Sequence, residues 1–495
     1  MLEAIAVSAP TLVHLRTFGR TEEGRDLPLA VLGNPAPASA EAARRSSRPR
    51  VLVLGGIHGG EVEGKEAALI IARRLAGGDL RRILDKVTVL VAPVYNPDGN
   101  ERVSVENRSG QFGPIGGVGR RENARGADLN RDFVKLATAE GRALASLLTA
   151  WDPHVVIDLH TTNGSYHGYH LTYAPTLAVN ADARLVEMSR TLLASTRQVL
   201  LDRGWRTYSY GNFVTDGALD KEQHRPAAAA PAWRTYDARP RFVTNGIGLR
   251  NRIAILSEAY SSLGFERRVR VTESFVETLL ALIARRATAI TTLITTVDRA
   301  TAEAGRAGTL GPLGTRGRLE PLDGAVPILV GDVETRPHPR TGAPMTVMKE
   351  SVATPVLMQD YGSFVPVDGV PAPLAYMIQA GPTADAVAPL LERHGIAFER
   401  LTGSTRLAVE RVVPASVTRS ERPFQGRRLV TLGPSTRDRA ELEFEPGSLR
   451  VTMGQPLARL IFHLLEPTSD DGVVVWDLVQ LQAGQAVPIY RVLPR

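Results

Sequence analysis

The stretch Val51-Leu52-Val53-Leu54-Gly55-Gly56-Ile57-His58-Gly59-Gly60-Glu61 decides the fold of this 495-residue chain. Its unbroken apolar run reads as a strand buried on both faces, because a half-exposed strand would alternate apolar with polar residues. The glycines supply a tight turn, and Ala67-Ala68-Leu69-Ile70-Ile71 continues as a helical pattern. Strand, turn and helix start together would carry an imidazole, His58, and a carboxylate, Glu61, to one point. Those are two of the three protein ligands that a catalytic zinc takes.

Further strand-like runs follow at 87–94, 154–159 and 253–256, with helical patterns at 63–75, 138–150 and 181–199 between them. Another long helical pattern, 266–302, closes this region. Continuous apolar strands alternating with helices predict an α/β fold: a mixed, mostly parallel sheet flanked by helices. Composition then shifts at Gly308-Thr309-Leu310-Gly311-Pro312-Leu313-Gly314, which reads as a linker. Beyond it, short Val-containing runs at 325–330, 449–453 and 473–475 are interrupted by one helical pattern at 384–394. The expected division is a catalytic domain over 1–305 and a smaller β-rich C-terminal domain over 306–495.

Hydrophobic content of 43% with 22% charged residues is that of a globular protein, and no apolar run reaches the ~18 residues of a membrane span. A net charge of +7 and a pI near 9.7 raise the question of nucleic acid. The basic residues, however, are overwhelmingly Arg, spread along the chain without a dense block and with few aromatics, so nucleic-acid binding is not expected. The chain has no cysteine, so any metal must be held by His and carboxylate. The opening Met1-Leu2-Glu3-Ala4-Ile5 lacks the basic start and long apolar segment of a signal peptide. That leaves a cytoplasmic chain, or one that begins after a removed leader.

Four polar motifs fall at or just beyond the carboxyl ends of predicted strands, where open α/β sheets place ligands. His58 and Glu61 are the first. His160 ends the run that contains Asp158, and Asp-x-His on a strand puts both side chains on one face. Asp158 could then orient a histidine ligand from outside; a capped strand end with a satisfied histidine is the plainer reading. In Gly126-Ala127-Asp128-Leu129-Asn130-Arg131 the Arg-Asn pair suits capture of a carboxylate, or belongs to a solvated loop. Glu258 follows the apolar run Ile253-Ala254-Ile255-Leu256-Ser257. It is poised as a general base beside a metal, or is an exposed strand-end carboxylate. The run Tyr166-His167-Gly168-Tyr169-His170 reads as lining a cleft or as structural.

Taken in order, His58-x-x-Glu61, Gly126-x-Asp128-x-Asn130-Arg131, His160 and Glu258 resemble the zinc metallocarboxypeptidase family, the pancreatic-carboxypeptidase-like enzymes. The resemblance runs over roughly residues 15–300, and Gly19-Arg20-Thr21-x-x-Gly24-Arg25 is similar to a segment of bacterial members. The stretch Leu464-Leu465-Glu466-Pro467-Thr468-Ser469-Asp470-Asp471 and the end Pro488-Ile489-Tyr490-Arg491-Val492-Leu493 are similar to the ends of some of them. The resemblance implies that His58, Glu61 and His160 hold one Zn2+, with Asp128 supporting His58. It further implies that Glu258 is the base and that Asn130 and Arg131 grip the terminal carboxylate of a peptide or small amide substrate. Tyr236 would be a mobile substrate-binding tyrosine. Arg120, Arg121 and Arg125 compete for the role of charge-stabilising arginine, with Arg121 favoured, and Val243 falls near the specificity position. Because members are often exported, a periplasmic or secreted location is expected. The alternatives are an aspartoacylase-like N-acyl-amino-acid amidohydrolase, which shares His-x-x-Glu and a third histidine, and a non-catalytic zinc- or peptide-binding relative.

Overall fold

The computed structural model describes residues 1–162, 164–215 and 218–494. An eight-stranded sheet organises the first 300 residues. Its strands are β1 (Val13–Arg20), β2 (Asp26–Leu32), β3 (Arg50–Gly55), β4 (Thr88–Ala92), β5 (Val155–Thr162), β6 (Leu171–Pro175), β7 (Thr207–Ser209) and β8 (Ile253–Tyr260). Their spatial order is β1-β2-β4-β3-β5-β8-β6-β7. The central pairs β4–β3, β3–β5 and β5–β8 are parallel, as is β6–β7; the remaining pairs are antiparallel. The expected mixed, mostly parallel sheet is therefore present, extended by the β1–β2 hairpin that the apolar pattern did not announce.

Successive residues of β3 serve two cores, which is why its sequence is apolar throughout. Val51 and Val53 pack with helices α1 (Val62–Gly77), α3 (Ala183–Asp202), α5 (Phe265–Arg285) and α6 (Ala287–Ala307). Leu52 and Leu54 join the other core, with α2 (Ala139–Trp151), α4 (Val243–Leu249) and residues from beyond 305, including Tyr376, Ile378 and Leu460. In α1 the buried positions Ala67, Ala68, Ile71, Ala72 and Leu75 recur at helical spacing. No single helix among the described residues is long and apolar enough to cross a membrane.

Several details differ from expectation. The pattern over 266–302 is two helices, α5 and α6, bent by 78° where Arg286 leaves helical geometry. Their apolar stripe continues across the break, and periodicity follows burial rather than the helix axis. Residues 473–475 form a turn instead of a strand; Val473 N bonds to Leu464 O, and all are apolar because they cap helix Ala458–Leu465. That helix, Ala-Arg-Leu-Ile-Phe-His-Leu-Leu, is buried nearly all round, with Arg459 its one partly exposed residue. Beyond 305 the chain is β-rich, as expected, with a six-stranded sheet that includes Ala375–Ile378 and Thr405–Pro414. Two other strands, Ala325–Pro337 and Pro344–Tyr361, join Ala232–Arg234 and Asn212–Thr215 in a five-stranded sheet drawn from both sides of residue 305.

Of the eight buried histidines among the described residues, five are held neutral by burial. Burial holds His154, His167, His170 and His394 down to about 3 and His463 to about 4. His394, for example, lies 3.2 Å through Nε2 from Val134 O, while its Nδ1 has no partner. An unfolded histidine binds a proton below about 6.5 where these do not, so the histidines withdraw stability as the pH falls. Asp360, raised by burial to about 6, Asp470, raised by burial and Asp471 to about 7, Glu258, raised by burial to about 8, and the raised His160 act in the opposite sense. The carboxylates held low, Glu61, Asp128, Asp152 and Asp237, however, withdraw stability alongside the histidines towards acid. The urea midpoint should therefore fall as the pH is lowered from 6.5 to 4.5. His394→Gln should flatten that fall by up to about 1.4 kcal/mol per pH unit. A stability that rose towards acid would contradict this assignment of neutral buried histidines.

Candidate metal centre

The turn that follows β3 is wedged against a neighbouring loop. A Cβ at Gly59 would lie 2.5 Å from Asn100 N and 2.7 Å from Arg120 O, so only glycine fits. A Cβ at Gly60 would lie 2.7 Å from Arg108 Cδ, so this second glycine clears the space that Arg108 fills. The turn delivers His58 to the centre and ends at Glu61, which stands immediately before α1. His160 arrives from the end of β5, adjacent to β3 in the sheet.

These three residues, each 3% exposed, offer ligand atoms that all lie within 4.8 Å of one another. Glu61 Oε1 lies 2.9 Å from His58 Nδ1, and Glu61 Oε2 lies 2.9 Å from His160 Nδ1. The opposite nitrogens are held by carboxylates. Nε2–H of His58 donates to Asp128 Oδ1 at 3.0 Å, and Nε2–H of His160 to Asp158 Oδ2 at 3.0 Å. With a metal bound, protons placed there would leave both Nδ1 lone pairs free to join the Glu61 carboxylate as ligands. Two imidazoles held from outside and one carboxylate, with no thiolate, form a donor set that fits a catalytic zinc.

The electrostatics follow from this packing. Burial pushes the Glu61 carboxyl up, but His58, Arg108 and His160 outweigh it and hold the group well below the usual range. Asp128 is likewise raised by burial yet held low by His58, Arg121 and Arg131. Burial lowers His160, but Asp158 and Glu61 raise it well above an ordinary histidine. Glu258 pairs with His160 in the parallel β5–β8 register, which sets both side chains on the same side of the sheet. Burial pushes its carboxyl up to about 8; Glu61 and Asp158 add to the rise, while His160 and Arg108 oppose it.

Of the three competing arginines, only Arg121 reaches the centre. Its Nε and Nη2 donate to Asp128 Oδ2 at 3.2 and 2.9 Å, and Nη1 lies 3.8 Å from Glu61 Oε1. Arg120 is exposed, and Arg125 pairs with Glu22 at 3.1 Å. A second arginine at the centre, Arg108, was missed by sequence reasoning. It donates to Glu61 Oε1 at 3.0 Å, to Thr161 O at 3.1 Å and to Gln111 Oε1 at 3.0 Å, from a left-handed backbone with φ of 50°. Its only trace in the sequence was the glycine that makes room for it.

Asn130 and Arg131 lie beside Asp128 in a short 3-10 turn. Asn130 Oδ1 accepts from Val243 N at 2.9 Å, and the Arg131 guanidinium lies 4.0 Å over the Phe242 ring. Burial lowers Arg131, although Asp128 and Asp237 oppose the shift. The Tyr236 ring packs edge-on against Phe242 and Tyr210, with its hydroxyl 2.9 Å from Thr244 Oγ1. Val243 is buried, and its backbone rather than its side chain is engaged with Asn130. His167 and His170 are structural, wedged against Tyr260 and accepting from Arg206 N respectively. A cavity of about 700 Å³ lined by Tyr173, Arg197, Tyr210 and Asp360 holds none of the His58–Glu61–His160 group.

Residues 1–146 match the family model described as zinc carboxypeptidase. The chain is 24% identical over 496 residues to Carboxypeptidase 2 of Trichophyton rubrum, covering 95% of this chain and 81% of that protein. It is 37% identical over 164 residues to human Carboxypeptidase D, covering 29% of this chain and 12% of that one. Among solved structures it is similar to a metallo-carboxypeptidase from Burkholderia cenocepacia, with 18% identity and a TM-score of 0.41 over 58% of this chain and 68% of that one.

The donor set predicts one zinc per chain by elemental analysis. Asp158→Asn, which disturbs only the support of His160, should weaken zinc about 10–100-fold in chelator competition. Chelation should leave the circular dichroism spectrum largely intact, since the three residues sit on a preformed sheet edge. Global unfolding on chelation would show instead that the metal is structural.

Proposed function

Because this chain belongs to the zinc carboxypeptidase family and is a metallocarboxypeptidase, we propose that it removes single residues from the C-termini of peptides at the His58–Glu61–His160 centre. One observation carries this reading: two imidazoles and a carboxylate converge with each outer ring nitrogen tied to its own carboxylate, and a further, unused carboxylate, Glu258, stands beside His160. His58, Glu61 and His160 would hold the zinc. When bound, the metal polarises the scissile carbonyl and acidifies the attacking water.

The remaining work falls to the chain's own groups. Glu258 takes the proton of the attacking water on a carboxylate oxygen and returns it to the leaving amine. A carboxyl that burial has raised accepts a proton more readily than an exposed one. Arg121, beside Glu61 and partly exposed, supplies positive charge where the carbonyl oxygen becomes negative. Arg131 pairs with the substrate's terminal carboxylate, and its seat on Phe242 keeps the guanidinium plane fixed. Asn130 adds its amide to the same carboxylate, since its carbonyl oxygen is already engaged by Val243 N. Tyr236 closes the wall behind this clamp.

Glu258→Gln should lower kcat by about 10²–10⁴ while zinc stays at one per chain, because only the proton transfer is removed. Arg131→Met should act mainly on KM. Wild-type protein should be assayed in parallel on a peptide library and on N-acyl amino acids, with release followed by mass spectrometry. Acyl release without peptide trimming would replace the proposal with an aspartoacylase-like amidohydrolase. Equal inertness of wild type and Glu258→Gln on every substrate, with peptide still bound, would leave a binding protein.

A further inference from the structure

We propose that the C-terminal region has a definite task in this reaction: it sets the position of the carboxylate clamp, with Asp471 as the positioning residue. The inference rests on the reading of Asn130 and Arg131 given above. Asp471 is 0% exposed and takes four hydrogen bonds. Its Oδ1 accepts from Arg241 Nε at 2.9 Å, from Arg241 Nη2 at 2.7 Å and from Trp476 Nε1 at 2.9 Å. Its Oδ2 accepts from the backbone N of Arg241 at 2.7 Å. The Arg241 guanidinium is capped by the rings of Trp476, at 4.7 Å, and Phe424, at 5.4 Å. Both rings also come from the C-terminal region.

The two residues after Arg241 are those that hold the clamp. Phe242 carries the Arg131 guanidinium on its ring, and Val243 N engages the Asn130 side chain. One tripeptide thus joins Asp471 to both clamp residues, with no flexible spacer between. The segment that bears the clamp is gripped from the same side at further points. Gln425 Oε1 accepts from Asp128 N at 2.8 Å, His394 Nε2 lies 3.2 Å from Val134 O, and Lys135 Nζ lies 4.7 Å over Trp476. A bidentate clamp works only when it is held to a fraction of an ångström, and a misplacement of about 1 Å can cost about a hundredfold in rate. Asp471 touches neither substrate nor metal in this arrangement; it acts through Arg241.

The test uses the full-length, zinc-loaded protein and two peptides of one sequence, one ending in a free carboxylate and the other in a carboxamide. Asp471→Asn keeps the shape but removes the charge that fixes Arg241. It should raise KM for the free-carboxylate peptide about 10–100-fold with kcat within about threefold. It should also shrink the preference for carboxylate over carboxamide, with zinc content unchanged, and Asp471→Glu should recover part of that preference. If Asp471→Asn does not fold, Gln425→Ala, in a partly exposed loop, should shift the same preference in the same direction. A preference that stays at the wild-type value in these variants, while Arg131→Met abolishes it, would overturn the proposal and leave the clamp standing. A preference unmoved by Arg131→Met as well would overturn the clamp itself.

Discussion

A single buried carboxylate, that of Glu61, sets the terms for the whole site. It is 3% exposed, with one oxygen 2.9 Å from each of two imidazoles and a guanidinium 3.0 Å away. A carboxylate in that position is tolerable only if positive or polar partners surround it, and every partner comes from a different part of the chain. His58 comes from its own turn, His160 from β5 and Arg108 from the loop beyond β4. The constraint reaches back into the sheet. Shifting β5 by one residue against β3 would turn His160 and Asp158 to the opposite face and leave Glu61 unpaired. The apolar runs that lock β3, β4, β5 and β8 in parallel register therefore hold the chemistry in place as well as the core.

The second face of the sheet explains why the chain extends beyond 305. The core behind Leu52, Leu54 and Val156 is completed by Tyr376, Ile378, Leu460 and their neighbours, so the later residues fill a surface that the first 305 leave apolar. Polar ties run across the same face: Arg250 Nη1 donates to His394 O at 2.8 Å, and Arg241 is locked to Asp471. Breaking one side of a buried pair of this kind leaves an uncompensated charge, which typically costs about 3–5 kcal/mol. The C-terminal region and the segment around Arg241 and Arg250 are thus coupled energetically through these pairs.

Much of this was legible before any coordinates. Unbroken apolar runs identified the doubly covered strands, and polar residues placed just past them identified His58, Glu61, His160 and Glu258 as neighbours, because parallel strands present their carboxyl ends together. Asp158 was readable as a support from its Asp-x-His spacing on one strand, and Asp128 only as the resemblance implied it. Less legible was anything that depends on a loop meeting a distant loop. Arg108 carries no periodic signal, and its place is decided by the absence of a side chain at Gly60. Among Arg120, Arg121 and Arg125, adjacent in sequence and identical in chemistry, only the packing of Asp128 selects Arg121.

The sequence by itself determined the strand-turn-helix that carries His58 and Glu61, the strands that bring His160 and Glu258 beside them, and hence the class of chemistry. Those features rest on local periodicity and on the rule that parallel strands share an end, both of which are written in consecutive residues. Tertiary structure alone decided which arginines face the centre, where the Tyr236 hydroxyl points, and that Asp471 stands behind Arg241. The placing of Arg108 against Glu61 and of Asp471 behind Arg241 depends on contacts across 47 and 230 positions. Loop closure over such distances costs chain entropy that is recovered only when the intervening core has packed, so no stretch of neighbouring residues records the outcome.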